Sequence, residues 1–232
     1  MATNSYDGPV ITAVDVSRVF GSGATAVTAL SAISLTIDQG EFLAVTGRSG
    51  SGKTTLLNLL SGLDSPSTGT VFFNGNDLAE LRESDLVEMR RHKIGFVFQS
   101  FGLMPLLSAQ ENVELPLHIG GVPWRERRQR ASDALKAVGL GTRARHRPFE
   151  LSGGEQQRVS IARALVAEPE VVFADEPTGE LDTATARSIA ETLGEVAASR
   201  RATVIVATHD LDLAAMAHRR LDLIDGEDVT KG

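Results

Sequence analysis

The chain has 232 residues, of which 42% are hydrophobic and 23% are charged, a composition typical of globular proteins rather than disordered or fibrous ones. At the usual ~100–200 residues per domain, this length predicts one large domain or one domain with an inserted lobe. The net charge of −7 disfavours nucleic acid as a partner, because the field of the protein repels a polyanion. With no cysteine, disulfides, thiolate zinc sites and a cysteine nucleophile are excluded.

No apolar run is long enough to cross a bilayer. The longest, Leu213 to Ala217, has five residues, whereas a spanning helix needs roughly 20. The first seven residues lack the basic and apolar regions of a secretory signal. These features predict a cytosolic protein.

The apolar pattern changes along the chain. Ile33, Leu35 and Ile37 alternate with polar residues, which predicts a half-buried strand in an N-terminal antiparallel region. Continuous apolar runs predict strands buried on both faces of a parallel sheet. These runs are 42–45, 94–98, 171–174 and 204–207. Helical patterns lie between them, for example at 56–60 and 131–138, so the predicted class is α/β.

Residues 100 to 157 contain no comparable strand pattern. We therefore expect a helical subdomain at about 100–157, inserted into a core formed by about 1–99 and 158–232. The basic stretch Trp124 to Arg130 lies in this lobe. It could bind phosphate or lipid headgroups, but Glu126 inside it favours an ordinary solvated helix face.

A glycine-rich motif follows the first predicted buried strand. Residues 47–54 match G-x-x-x-x-G-K-[ST] and precede a helix that begins near Lys53; this context is the one that a phosphate-binding loop requires. Backbone N–H groups and the positive end of the helix would face the phosphates, and Lys53 would reach the β/γ-phosphates. The Thr54 hydroxyl would hold Mg²⁺. The predicted nucleotide contacts are Gly47, Arg48, Ser49, Gly50, Ser51, Gly52, Lys53, Thr54 and Thr55.

Two adjacent carboxylates end the strand 171–174. Asp175 is suited to hold Mg²⁺ through its water shell, and Glu176 could orient and partly deprotonate an attacking water. By itself, an acidic pair after a strand more often caps a helix or opens a loop. The phosphate loop upstream favours the catalytic interpretation.

A second glycine motif, Leu-Ser-Gly-Gly-Glu-Gln-Gln-Arg, spans residues 151–158. Ser152 and Glu155 have the spacing of a capping box, so the simplest interpretation is a capped helix. The two glycines after Ser152 are unnecessary for a cap, and they would expose backbone N–H groups as a second anion site. A single nucleotide does not need two such sites in one chain.

The order of these motifs, with Gln99 after the run 94–98 and His209 after the run 204–207, resembles the ATP-binding subunit of ABC transporters over essentially the whole chain. The resemblance implies a P-loop NTPase (RecA-like) core with an N-terminal antiparallel β subdomain and an inserted α-helical subdomain. It also implies a head-to-tail homodimer, in which Ser152, Gly153 and Gly154 of one subunit close over the γ-phosphate bound by the other.

The same resemblance assigns further residues by position. Phe20 would stack on adenine, and Asp182 in the sequence Gly179-Glu-Leu-Asp would cross the dimer interface. Gln99 would sense Mg²⁺ and the γ-phosphate, and His209 would bind the γ-phosphate. The implied catalytic residues are Glu176, His209 and Gln99, and the implied metal residues are Thr54, Gln99 and Asp175.

More narrowly, the stretches 94–105, 109–113 and 174–179 resemble the lipoprotein-release and macrolide-export ATPases of the LolD and MacB type, with the FtsE type as a close relative. Members of this group more often have Asn where this chain has Glu180. The resemblance implies an ATP- and Mg²⁺-dependent ATPase on the cytoplasmic side of the plasma membrane, docked to separate permease subunits. The expected function of ATP hydrolysis is to drive export or mechanical work across the membrane. The alternative is an FtsE-like regulator that controls an extracytoplasmic enzyme without transport.

The apolar stretch Phe101 to Leu107 allows two interpretations. Its side chains could form a docking surface for the permease, since large exposed apolar patches usually mark interfaces. The alternative is that they pack inside the helical lobe. The first interpretation is favoured.

Overall fold

The computed structural model describes residues 7–199 and 202–230. The helices and strands of these residues follow in chain order. They are β1 (Ile11–Phe20), β2 (Val27–Ile37), β3 (Phe42–Thr46), α1 (Lys53–Leu60), β4 (Thr68–Phe73), β5 (Asn76–Asp77), α2 (Glu83–Lys93), β6 (Ile94–Val97), α3 (Ala109–Ile119), α4 (Trp124–Ala137), α5 (Gly153–Leu165), β7 (Val171–Asp175), α6 (Thr183–Ala198), β8 (Thr203–Thr208), α7 (Leu211–Ala215), β9 (Arg219–Ile224) and β10 (Glu227–Asp228).

The central sheet has the strand order β10-β9-β3-β8-β7-β6. Strands β9, β3, β8, β7 and β6 are parallel, and β10 pairs antiparallel with β9. Every residue of β3 and β8 is buried, as expected for strands covered on both faces. The four predicted buried strands and the α/β class are confirmed. The carboxyl ends of β3, β8, β7 and β6 lie at one edge, where α/β proteins usually bind their ligands.

The second sheet is antiparallel, with the order β2-β1-β4-β5. Ile33, Leu35 and Ile37 of β2 are buried, and they pack with the leucines of α1 in a core between the two sheets. Strands β4 and β5 complete this subdomain although they follow the phosphate loop in sequence. Strand β1, which precedes that loop in sequence, therefore pairs with β4, which follows it.

A helical lobe covers residues 109–165 and is built from α3, α4 and α5. These helices share a core of small and branched apolar side chains, among them Val113, Leu135 and Val159. Helix α5 crosses the boundary that the sequence predicts at residue 157, so one rigid element joins the lobe to the central sheet. No helix within the described ranges combines the length and the apolarity needed to span a bilayer.

Candidate nucleotide and catalytic site

The loop 47–52 joins β3 to α1 and has a shape that requires glycine. Gly52 adopts φ +100°, and a Cβ there would lie 2.5 Å from the Ala29 carbonyl oxygen. A Cβ on Gly47 would lie 2.4 Å from Ser51 Oγ. No side chain caps the start of α1, so the first N–H groups of this helix remain available to an anion.

Lys53, the first residue of α1, is buried and points back over the loop. Its ammonium donates hydrogen bonds to the carbonyls of Gly47 at 2.9 Å and Arg48 at 3.2 Å. It also lies 3.3 Å from Glu176 Oε1. The cation is therefore held at the edge of the loop, next to the strand end that carries the two predicted carboxylates.

Thr54 and Asp175 meet across 121 residues of sequence. The Thr54 hydroxyl donates to Asp175 Oδ2 at 2.8 Å, and Asp175 Oδ1 is buried with no hydrogen-bond partner among the described residues. Burial, the largest cause, raises the pKa of Asp175, and Glu176 adds to the rise; the Thr54 hydrogen bond and the Lys53 charge oppose it. The carboxylate is therefore short of partners.

These two side chains fit a magnesium ion. Hydroxyl and carboxylate oxygens are ligands that Mg²⁺ prefers, and the ion usually takes its other ligands from water and substrate phosphates. The unpartnered Oδ1 of Asp175 provides a free oxygen for it. Within the described ranges no cluster of three or more His, Asp or Glu residues could hold a metal.

Glu176 and His209 form a second pair beside the first. Glu176 Oε2 lies 2.8 Å from His209 Nδ1. Glu176 has φ +46°, a left-handed conformation that costs a non-glycine residue about 1–3 kcal/mol. Its backbone N–H donates to the Ala207 carbonyl at 2.8 Å, which ties the strained residue to β8. Strain of this kind is concentrated at functional sites.

These pairs surround one open cavity of about 600 Å³. It is lined by the predicted residues Arg48, Ser49, Gly50, Gly52, Lys53, Thr54, Thr55, Gln99, Asp175, Glu176 and His209, and by Ala29. Gly47 and Ser51 line the adjacent cavity, on the side of β9. Ala29 was not predicted, because a small residue in a strand carries no chemical signal. Gln99 lies beside Gly179: a Cβ added to Gly179 would lie 3.4 Å from Gln99 Nε2.

Five further predicted contacts lie outside this cavity, namely Phe20, Ser152, Gly153, Gly154 and Asp182. Phe20 ends β1 with 44% of its surface exposed, and the Arg18 guanidinium lies 4.7 Å from its ring centroid. Ser152 caps α5: its hydroxyl accepts from Glu155 N–H, and Glu155 accepts from Ser152 N–H. The predicted capping box is therefore present. Asp182 caps α6 by accepting from the N–H groups of Ala184 and Thr185.

The second glycine motif packs against the segment that contains Asp182. A Cβ on Gly154 would lie 2.3 Å from Thr185 Cγ2. Two hydrogen bonds from Thr185 lower the pKa of Asp182; the larger effect comes from the Thr185 hydroxyl and the smaller from its backbone N–H. Both predicted dimer-contact segments thus form one surface within the chain, separate from the phosphate-loop cavity.

The apolar stretch after Gln99 divides between its two interpretations. Leu103 packs against the core of the helical lobe, whereas Met104 and Leu106 are 53% and 79% exposed. The core interpretation is therefore right for Leu103 and wrong for Leu106. In the basic stretch, Arg130 pairs with Glu126 on the same helix, as the solvated helix face predicts. Arg127 instead pairs with Glu114 of α3, and both of these side chains are largely buried.

The fold and this site together define an ATP-binding cassette. The chain belongs to the ABC transporter family, whose profile matches residues 30–179. The chain is 47% identical over 96% of its length to the macrolide export ATP-binding/permease protein MacB of Hyphomonas neptunium, but it spans only 34% of that protein. It is 46% identical to the lipoprotein-releasing system ATP-binding protein LolD of Pseudomonas fluorescens, over 94% of this chain and 96% of LolD.

A solved structure has the same fold. It is the dimeric, post-hydrolysis state of the ATP-binding cassette MJ0796 bound to ADP and Pi, with a TM-score of 0.87 and 42% identity, covering 94% of this chain and 96% of that one. These findings confirm the resemblance to ABC ATP-binding subunits and to the LolD and MacB group.

Proposed function

We propose that this chain is the ATP-hydrolysing, nucleotide-binding subunit of an ABC transporter, and that it works as a head-to-tail dimer that drives a separate membrane permease. One observation carries the proposal: the Thr54–Asp175 and Glu176–His209 pairs converge on the cavity of the phosphate loop. Names of relatives that include macrolide export and lipoprotein release support export or mechanical work across the membrane. The site of action is the cytoplasmic side of the plasma membrane.

The loop residues bind and orient the triphosphate of ATP. Lys53 turns from the carbonyls of Gly47 and Arg48 toward the β/γ-phosphates, since a charge-assisted bond to phosphate is stronger than one to a neutral carbonyl. Thr54 and Asp175 would hold Mg²⁺, with Gln99 beside them; the ion would neutralise charge that develops on the phosphates. Phe20 would stack on the adenine.

Glu176 orients the attacking water and accepts its proton. His209 contacts one oxygen of this carboxylate through Nδ1. The other ring nitrogen of His209, Nε2, has no hydrogen-bond partner among the described residues, so it can bind the γ-phosphate. The left-handed backbone of Glu176 is tied to β8 through its hydrogen bond to the Ala207 carbonyl. Positioning and charge stabilisation supply most of the catalysis in phosphoryl transfer.

The second copy completes the site. Ser152, Gly153 and Gly154 do not reach the phosphate-loop cavity of their own chain, so the exposed turn would close over the γ-phosphate of the partner. Asp182 would lie at the same interface. The similar cassette that was solved as a dimer supports this arrangement.

The variant Glu176→Gln tests the proposal, because it keeps the shape of the side chain and removes the base. We expect it to bind MgATP, to stop hydrolysis, and to accumulate as a dimer in light scattering with ATP but not with ADP. The matched control is Glu191→Gln, an exposed glutamate of α6 that pairs with Arg187; it should hydrolyse ATP like the wild type. Hydrolysis at the wild-type rate by Glu176→Gln would contradict the catalytic assignment. A monomer at saturating MgATP, also in the complex with the permease, would contradict the dimer.

A further inference from the structure

A single arginine of α5 holds the segment that follows Gln99. Nη1 of Arg163 donates to the Gly102 carbonyl at 2.6 Å, and Nη2 donates to the Phe101 carbonyl at 3.1 Å. Both carbonyls belong to residues in the left-handed conformation, with φ +61° at Phe101 and +59° at Gly102. The guanidinium fork therefore binds two consecutive carbonyls of a strained turn.

Arg163 makes these contacts without a counter-ion. In the described part of the chain no carboxylate lies within ion-pair distance of it, and burial lowers its pKa. By contrast, Arg127 and Arg130 of α4 both have glutamate partners. Burying a cation against carbonyl dipoles alone is costly. The hydrogen bonds of Arg163 therefore stabilise the turn, while the charge of Arg163 itself is in an unfavourable environment.

The same turn also touches the other end of α5. A Cβ on Gly153 would lie 3.6 Å from Phe101 Cζ, so the Phe101 ring packs at the first residue of the helix. Gly153 and Arg163 are ten residues apart in sequence, which is about 15 Å along a helix. On the far side of Gln99, the Gln157 amide nitrogen of α5 lies 3.5 Å from the Phe98 carbonyl. Helix α5 thus contacts the chain on both sides of Gln99.

We propose that Arg163 is a positioning residue: by holding the turn after Gln99 on α5, it fixes Gln99 in the phosphate-loop cavity, which Gln99 already lines. The inference rests on the proposed function in one respect, the role of Gln99 beside the bound nucleotide.

The first test needs no nucleotide. Because the chain has no cysteine, Ser100→Cys places one spin label next to Gln99 in the full chain. We expect Arg163→Ala to increase the mobility of this label in the electron paramagnetic resonance spectrum. The matched control is Arg158→Ala, since Arg158 is also on α5 but bonds Val138 and Ser188, away from Gln99.

A label equally immobile in Arg163→Ala and Arg158→Ala would overturn the proposal. If Arg163→Ala does not fold, Arg163→Lys replaces it, because an ammonium keeps the charge but cannot offer the planar fork. The same increase in mobility is then expected. Circular dichroism melting establishes that each variant is folded.

The second test asks whether Arg163 acts through Gln99. Arg163→Ala should lower kcat for ATP on the order of tenfold, the size of one charge-assisted hydrogen bond, with little change in KM. In a Gln99→Ala background it should cause no further loss, whereas Arg158→Ala should have the same effect in both backgrounds. A full tenfold loss on top of Gln99→Ala would overturn the route through Gln99. A wild type without ATPase activity would instead refute the proposed function and leave the label result standing.

Discussion

The variant Gly154→Ala tests how the second glycine motif packs against the Asp182 segment. Gly154 is the second residue of α5, and an added Cβ would lie 2.3 Å from Thr185 Cγ2. Real Cβ atoms do not approach that closely, so Thr185 must move. Its hydroxyl donates to Asp182 Oδ2 at 2.6 Å and its N–H donates to Oδ1 at 3.1 Å. Rotation of the side chain would break the first of these bonds.

Two opposing effects set the expected magnitude. Helix propensity alone predicts that alanine stabilises α5 by at most about 1 kcal/mol. Overpacking typically costs about 1–3 kcal/mol, and the hydrogen-bonded threonine places this contact above the low end of that range. The steric effect therefore wins, and we expect the free energy of unfolding to fall by about 1 kcal/mol.

Urea unfolding measures this change. The single tryptophan, Trp124, reports on the helical lobe, and far-UV circular dichroism reports on the whole chain; coincident transitions would justify a two-state analysis. Thr185→Ser provides the matched rescue, because it removes the clashing methyl and keeps the hydroxyl that bonds Asp182. The double variant should recover the lost stability. Its ATP turnover should stay low, since a methyl remains on the turn proposed to contact the partner's phosphate.

A Gly154→Ala protein at least as stable as the wild type would contradict the steric argument. Failure of Thr185→Ser to restore stability would likewise show that the methyl contact is not the cause.

Three further predictions concern the phosphate site and the lobe. Lys53→Ala should remain folded but bind a fluorescent ATP analogue at least tenfold more weakly, because charge-assisted bonds contribute about 1.5–3 kcal/mol each; unchanged affinity and turnover would contradict the phosphate-loop assignment. Burial raises the pKa of Asp175 above the ordinary 3.8, so its ionised form lowers stability above the folded pKa. Asp175→Asn should therefore raise the free energy of unfolding without nucleotide at pH 7, with a gain that shrinks as the pH falls toward 3.8; a gain that grows toward low pH would contradict this sign. Leu106→Glu, at a side chain 79% exposed, should leave folding and ATP binding intact and release the subunit from its permease in pull-down assays; unchanged association would remove this docking surface.

Local pattern was sufficient to predict the phosphate loop and the carboxylate pair, whereas Gln99 and His209 were assigned through the family resemblance. The shape of the phosphate loop depends on glycines within a few residues of each other, and strand β3 before it is recognised by its continuous apolar run. Parallel strands place their carboxyl ends at one edge of a sheet. For this reason Gln99, Glu176 and His209, which follow β6, β7 and β8, meet that loop in the folded chain.

The motif at residues 151–158 allowed two interpretations from local pattern, a helix cap and an anion site. Ser152 and Glu155 form the capping box that their spacing predicts, and the two glycines between them are partly exposed. Local chemistry establishes the cap, because its hydrogen bonds join residues three apart. Whether the same turn binds a phosphate depends on a second molecule, and residue spacing within one chain gives no information about that molecule.

The α/β class, the phosphate loop, the carboxylate pair and the helical lobe could be predicted before folding, because each depends on periodicity or on near neighbours in the chain. Three contacts emerge only in the folded chain: β4 pairs with β1, Thr54 donates to Asp175, and Arg163 holds the turn after Gln99. The Thr54 and Arg163 contacts join residues 121 and 62 positions apart. Strand order and helix packing set the partners. An arginine on a helix has the same local pattern whether it faces water or clamps a loop, so its role emerges only when the chain is folded.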